Sequence, residues 1–448
     1  MDVVGLLPQF GNLFMTIAAF VVALSVIVAV HEYGHYIVGR WSGIKADVFS
    51  LGFGPVLFSR VDKHGTRWQF ALLPFGGYVR FKGDANAASA NTTDTISDLS
   101  PEERRQTMQG APLWARSATV AAGPVFNFIL SFFVFAGLLM AGGKAIEPLT
   151  IGELKPLPVE GVMLQTGDVP ISIAGLPWPD RTDREANDAF SEALPNEPLL
   201  DYVVHRDGSV VTVKGPHPLP PLADRIIPLS AAYTAGIRAG DVITAIDGEP
   251  IYAFSQLRKT VESSEGRAIP IKIWRAGEMV DFVLVPKRSD EQQTEGGYKT
   301  FWRIGIGSSS AFKPATQNLD VISALQGGAK SVWAVITGSL SGLYHMITGA
   351  ISSCNMSGPI GIAKASGAMA SQGAMSFVEF IALLSAAVGL LNLMPIPVLD
   401  GGHLVFFGYE AVFKKPPSER ALRVLMGVGL TLVLGLMVFA LSNDLFCP

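Results

Sequence analysis

Four stretches of the chain are almost unbroken runs of apolar side chains. Leu13 to Val30 is the first, and with its flanks it supplies the roughly 20 residues that an α-helix needs to cross a 30 Å hydrocarbon core. Ser117 to Met140, Met375 to Met394 and Val424 to Leu441 follow, each free of Lys, Arg and Asp in its middle. Each predicts a transmembrane helix. A fifth stretch, Val332 to Ile351, has a different pattern. Trp333, Ile336, Leu340, Leu343, Ile347 and Ile351 recur at helical spacing, while Thr337, Ser341, His345 and Thr348 take other faces. That amphipathic arrangement predicts a helix lying in the membrane interface; a fifth crossing there would put residues near 400 on the opposite side from those near 30.

Elsewhere the pattern changes to strands. Phe49 to Phe58 and Trp68 to Val79 read as strands interrupted by Gly, close behind the first apolar run. Residues 84 to 110, rich in Ala, Asn, Thr, Ser and acidic groups, read as a mobile loop with a short helix starting at Ser100-Pro101-Glu102-Glu103. Ile271 to Trp274 and Val280 to Val285 form a hairpin about Ala276-Gly277. Pro216, Pro218, Pro220 and Pro221 mark a linker before it.

Composition agrees with membrane insertion. Of 448 residues, 49% are hydrophobic and only 16% charged, with a mean hydropathy of +0.36. A net charge of -4 and the lack of a basic aromatic patch argue against a nucleic-acid partner. Two cysteines, Cys354 and Cys447, make no disulfide framework and read as ordinary thiols. No Lys or Arg precedes Arg40 and no small-x-small cleavage site follows the first run, so a retained helix is expected rather than a cleaved leader. Ten Lys and Arg between the first two runs, from Arg40 to Arg116, and Lys414, Lys415, Arg420 and Arg423 between the last two, put those loops in the cytoplasm. Both termini and residues from about 143 to 318 then face outward.

The chemistry concentrates at the end of the first run, in His31-Glu32-Tyr33-Gly34-His35. On a helix, i and i+4 share a face about 6 Å apart along the axis, so both imidazoles can reach one zinc ion while Glu32 addresses its water. Ionisable groups at such depth cost roughly 2.5 to 3.5 kcal/mol each on insertion scales and are kept for function. A third ligand should arrive at similar depth. Asp400, in the Pro- and Gly-broken string from Asn392 to His403, is the leading candidate, with His403 as an alternative. Zinc in such a site polarises a scissile carbonyl and lowers the pKa of water, and Glu32 is placed to take the proton and return it to the leaving amine. A substrate helix must be unwound to be cut, and an edge strand of the Gly-broken β region, around Gly52, Phe53 and Gly54, would hold it extended.

The His31 to His35 pentad, the Asn-x-x-Pro-x-Pro-x-Leu-Asp-Gly string from Asn392 to Gly401, and Ala122-Gly123-Pro124-x-x-Asn127 together resemble the site-2 protease family. The chain is similar to its bacterial branch, the regulator-of-sigma-E proteases, along nearly its full length. That resemblance implies an intramembrane zinc metalloprotease of the bacterial inner membrane, active near the cytoplasmic side. It implies His31, His35 and Asp400 as zinc ligands, Glu32 as base and Asn392 as a group that steadies substrate. Its substrates would be transmembrane segments of trimmed single-pass proteins, such as an anti-sigma factor or a signal-peptide remnant. Leu229 to Gly248 resembles the helix-turn-strand signature of bacterial PDZ domains, with a peptide groove beside Arg225-Ile226-Ile227-Pro228, and Gln165 to Gly175 resembles a weaker copy. In that copy Pro158-Val159-Glu160-Gly161 replaces the small-residue helix.

The expected fold is a multi-pass α-helical membrane protein with four transmembrane helices, a membrane-associated β region and two periplasmic PDZ-like α+β domains. The expected boundaries are 1–142 for the first two helices and β region, 143–217 for a degenerate PDZ-like domain and 218–290 for a PDZ domain. Residues 291–373 are expected as a linker with the interfacial helix, and 374–448 as the last two helices. A non-proteolytic membrane scaffold with a zinc site is the alternative reading, though a structural site would want four protein ligands.

Overall fold

A computed structural model describes residues 7–83, 99–179, 184–293 and 297–447. Contacts divide the chain into two compact units. In the helical unit, which holds residues up to Leu138, Val321–Tyr344 and Ser353–Cys447, four helices among the described residues are long and apolar enough to cross a membrane. They are Leu7–Trp41, Leu113–Gly142, Ala374–Leu393 and Glu419–Phe446. Local chemistry sets their ends. The first stops before Gly43, at φ +86°, and the fourth starts at Ser418, whose hydroxyl accepts the Ala421 N–H at 3.3 Å. The third stops at Met394, which precedes Pro395 and is extended (φ −62°, ψ 145°), because the proline ring crowds a helical residue before it.

Three features of this unit depart from expectation. The amphipathic helix runs over Val321–Ile347, starting well before Trp333, because Gly328 lets it lie against the second spanning helix; a Cβ there would come 2.7 Å from the Phe132 carbonyl oxygen. It is outside the set apolar enough to cross. Two further helices, Pro359–Ser371 and Asp400–Phe413, carry no strong periodic signal and were not expected. Cys354 and Cys447 are not free thiols but a disulfide, with Cα atoms 5.6 Å apart. Their partnership joins positions 93 residues apart, which no local pattern encodes. Beside it, Asp444 accepts the N–H groups of Gly358, Ile360 and Gly361 at 2.8 to 3.0 Å, capping the Pro359–Ser371 helix.

Behind the first helix, strands Ala46–Val61 and Arg67–Phe81 pair antiparallel with several register shifts. The shifts fold each strand back on itself. Phe49 faces both Val79 and Trp68, while Phe58 faces Phe70, so four segments lie side by side and 77–81 pairs on one side only. Gly52 and Gly54, at φ +89° and +84°, make the bend. Asp62 anchors this sheet to the first helix by accepting from the Tyr36 hydroxyl at 3.1 Å and the Trp68 indole N–H at 3.0 Å. Burial works against its charge, but these donors and the His64 and Thr66 N–H groups hold its carboxyl below the usual range. Residues 84 to 98 of the expected mobile loop lie outside the described residues; Ser100 does cap a short helix, Pro101–Arg105, in a capping box with Glu103.

The second unit holds residues Leu139–Asp320 and His345–Ser352. It contains one motif twice. Strands Leu176–Pro177, Val169–Ile173, Leu199–Arg206 and Ser209–Pro216 form one antiparallel sheet, and Glu249–Pro250, Val242–Ile246, Ile269–Arg275 and Glu278–Leu284 form another in the same order. A helix occupies the same place in each, Arg184–Ala193 and Phe254–Ser263. An ion pair is duplicated too. Arg206 clamps Asp168 at 2.6 and 2.7 Å, Arg275 clamps Asp241 at the same two distances, and each aspartate also accepts a turn N–H, from Gln165 and Arg238. Only the second copy has a helix before its Gly-Asp turn, Ala231–Ala235, among the described residues.

Residues 298 to 317 are not a linker as expected. Tyr298–Arg303 pairs with Lys287–Gln292, Ile306–Gly307 with Arg225–Ile226, Phe312–Pro314 with Ile151–Leu154, and Thr316–Gln317 with Lys144–Ala145. The last three pieces are two or three residues long, too short to alternate visibly. The chain therefore returns to complete both copies.

Candidate metal centre

His31 and His35 lie one turn apart on the first spanning helix, with Nε2 atoms 3.2 Å from each other. Asp400 starts its own helix directly after the Met394–Leu399 turn, and its Oδ2 lies 3.2 Å from His31 Nε2 and 3.5 Å from His35 Nε2. Four-coordinate zinc with bonds near 2.0 to 2.1 Å has ligand atoms about 3.3 Å apart. The triangle therefore fits a zinc ion. Asp400 Oδ2 is also buried without a hydrogen-bond donor, as an oxygen awaiting a cation would be. His403, the alternative ligand, sits further along the Asp400 helix against Phe406 and is outside this cluster.

Glycines make the close approaches possible. A Cβ on Gly123 would come 2.3 Å from His35 Nε2 and 2.9 Å from His31 Cε1, and one on Gly34 would come 2.5 Å from the Ala122 carbonyl oxygen. Gly401 and Gly402 pass equally close to the carbonyls of Leu393 and Ile396, which folds the Pro-rich turn tightly enough to aim Asp400 at the imidazoles. Bidentate Arg116–Glu410 bonds at 2.6 and 3.1 Å tie the Asp400 helix to the second spanning helix. The sequence uses Arg116 only as a sign of a cytoplasmic loop and gives Glu410 no role, since each is a lone charge next to an apolar run. His35 Nδ1 faces the Thr119 carbonyl at 2.9 Å, a backbone contact with no sequence signal.

The β region reaches the same place. On the one-sided 77–81 segment, a Cβ on Gly77 would come 3.1 Å from Glu32 Cγ. Gly52, Phe53 and Gly54 are at the bend, with Phe53 stacked on Tyr78 at 6.1 Å and 42% exposed. Asn392 is half-buried in the last turn of the third spanning helix, ahead of the turn that delivers Asp400.

The profile of peptidase family M50 matches residues 19–436. The chain belongs to this family. M50, the site-2 protease family, fits relatives that match end to end. A candidate zinc metalloprotease of Rhizobium meliloti (strain 1021) is 36% identical over 435 residues, covering 97% of both chains. The regulator of sigma-E protease RseP of Escherichia coli (strain K12) is 30% identical over 456 residues, covering 96% of this chain and 98% of that one. This M50 member is a zinc metalloprotease, and its four apolar helices fit a membrane enzyme.

Proposed function

We propose that His31, His35 and Asp400 hold the zinc of an intramembrane peptidase, that Glu32 is its general base, and that the substrate is a membrane-spanning segment. The observation that carries this is the convergence of the three ligand atoms beside Glu32 within a set of four membrane-crossing helices. Zinc there supplies Lewis-acid polarisation of a carbonyl and a lowered water pKa. The chain's own groups do the rest. Glu32 moves the proton. The one-sided 77–81 segment and the Gly52-Phe53-Gly54 bend hold an unwound substrate as an added strand, and Asn392 steadies its carbonyl.

The Cys354–Cys447 bond supports an outward-facing C-terminal end for the fourth spanning helix, since disulfides persist outside the cytoplasm, and the Lys414 to Arg423 cluster at its other end faces inward. In this topology the duplicated unit is periplasmic and the metal lies near the cytoplasmic side of the inner membrane. The two copies act as PDZ-like domains, bounded near 143–217 and 218–290, with the second completed by residues 298 to 307. They admit single-pass proteins already trimmed outside, the class to which anti-sigma factors and signal-peptide remnants belong.

The test is cleavage of a single-span substrate by purified protein in detergent, with the cut mapped by mass spectrometry. Glu32→Gln is expected to keep its zinc and lose cleavage by at least about 100-fold. A substrate bearing a folded outer domain is expected to be cut only after residues 143 to 317 are removed. Cuts outside the apolar segment, or full activity in Glu32→Gln, would refute the assignment; unchanged discrimination after the deletion would refute the filter.

A further inference from the structure

Asn127 is fully buried on the second spanning helix, with its Nδ2 3.3 Å from His31 Nδ1 and its Oδ1 buried without any partner. Its backbone is fixed from two sides. The Asn127 carbonyl accepts the Ser131 and Ser385 hydroxyls at 2.9 and 3.0 Å, and Gly389 of the third spanning helix packs against its Cβ. The side chain is thus a rigid group aimed at the far nitrogen of one imidazole.

For His31 to present an Nε2 lone pair to a metal, its other nitrogen must carry the proton and needs an acceptor. His35 meets this condition through the Thr119 carbonyl, two helical turns before Asn127. An Asn amide satisfies it in one orientation only. The amide O and N are nearly the same size and exchange by a half-turn of the terminal torsion, so the pocket that accommodates one orientation accommodates the other.

We propose that Asn127 is a positioning residue for the metal: its side-chain oxygen accepts the Nδ1–H of His31, fixing the imidazole in the tautomer and orientation that turn Nε2 toward Asp400 and His35. This rests on His31 being a ligand. The second spanning helix then serves both imidazoles, with a backbone carbonyl for His35 and an amide oxygen for His31.

The role needs an acceptor and not a donor, which separates two near-isosteric replacements. Asn127→Asp keeps the acceptor, and Asn127→Leu has none. Zinc affinity of the purified full-length protein is measured by competition with a chromogenic chelator, with unfolding temperature followed in parallel. Asn127→Asp is expected to bind zinc at least as tightly as the wild type, and Asn127→Leu roughly 10- to 100-fold more weakly. His31→Ala is the control; if it leaves zinc binding unchanged, the ligand assignment itself has failed. With His31→Ala weakened, wild-type affinity in Asn127→Leu overturns the proposal. So does a tenfold or greater loss in Asn127→Asp, which decides the matter even if Asn127→Leu does not fold.

Discussion

Gly123 shows how one missing side chain governs the centre. Both imidazoles occupy the space its Cβ would fill, and the blocking contacts are ring atoms rather than the ends of flexible chains. Gly123→Ala must displace His31 and His35 from the positions they hold beside Asp400. In a packed interior, an added methyl that cannot be absorbed costs about 1 to 3 kcal/mol. Here the strain falls on the ligand triangle, so zinc content after dialysis against a weak chelator is expected to fall at least about tenfold. Retention of stoichiometric zinc would show that the helices can separate. A surface control such as Gly137→Ala, with open space around its Cβ, should bind normally.

Among the elements, the fourth spanning helix is attached at the Cys447 end by three kinds of contact. Cys447 is bonded to Cys354, Asn443 donates to the Ser353 carbonyl at 2.7 Å, and Asp444 caps the Pro359–Ser371 helix. That helix packs on the first spanning helix, where a Cβ on Gly367 would come 2.4 Å from Thr16 Oγ1. The chain-entropy argument for closing a 93-residue separation gives an upper bound of about 4.6 kcal/mol. Membrane-inserted helices have less freedom to lose than a random coil, so the realised value is smaller. Cys447→Ser is expected to lower the unfolding temperature in detergent by several degrees, and dithiothreitol to produce the same shift in the wild type and none in the variant. Identical melting in all four samples would show that the hydrogen bonds suffice alone.

For the molecule as a whole, the duplicated unit contributes an acid sensitivity of its own. His217, between its two sheets, is 3% exposed; burial lowers its pKa from near 6.5 to about 4, against the opposing pull of the Leu219 carbonyl. The folded state thus binds its proton more weakly than the unfolded state. Stability is full above about pH 6.5, falls by about 1.4 kcal/mol per unit below it, and levels off beneath about pH 4, a total of about 3.5 kcal/mol. Asp168, whose charge is opposed by burial but held by Arg206, adds a second loss at lower pH, below the ordinary carboxylate value near 3.9. Unfolding followed from pH 7.5 to 5 should show the first decline, and His217→Gln should flatten it. An unchanged slope in that variant would assign the acid sensitivity elsewhere.

The chain's own pattern determined the four spanning helices and the spacing of His31, Glu32 and His35, because hydrophobic runs and i,i+4 faces are properties of consecutive residues. It also exposed the Gly-Asp turn of the stronger repeat and a trace of the weaker one. Tertiary structure alone brought Asp400 rather than His403 to the imidazoles, set Asn127 and the Thr119 carbonyl behind them, joined Cys354 to Cys447, and returned residues 306 to 317 to complete both repeats. Arg206 and Arg275, which repeat the same clamp, leave no mark in the sequence, because a lone arginine before a turn looks like any solvated charge. Local geometry repeats every few residues and leaves a periodic mark, whereas a contact between distant segments depends on which surfaces the folded chain buries together.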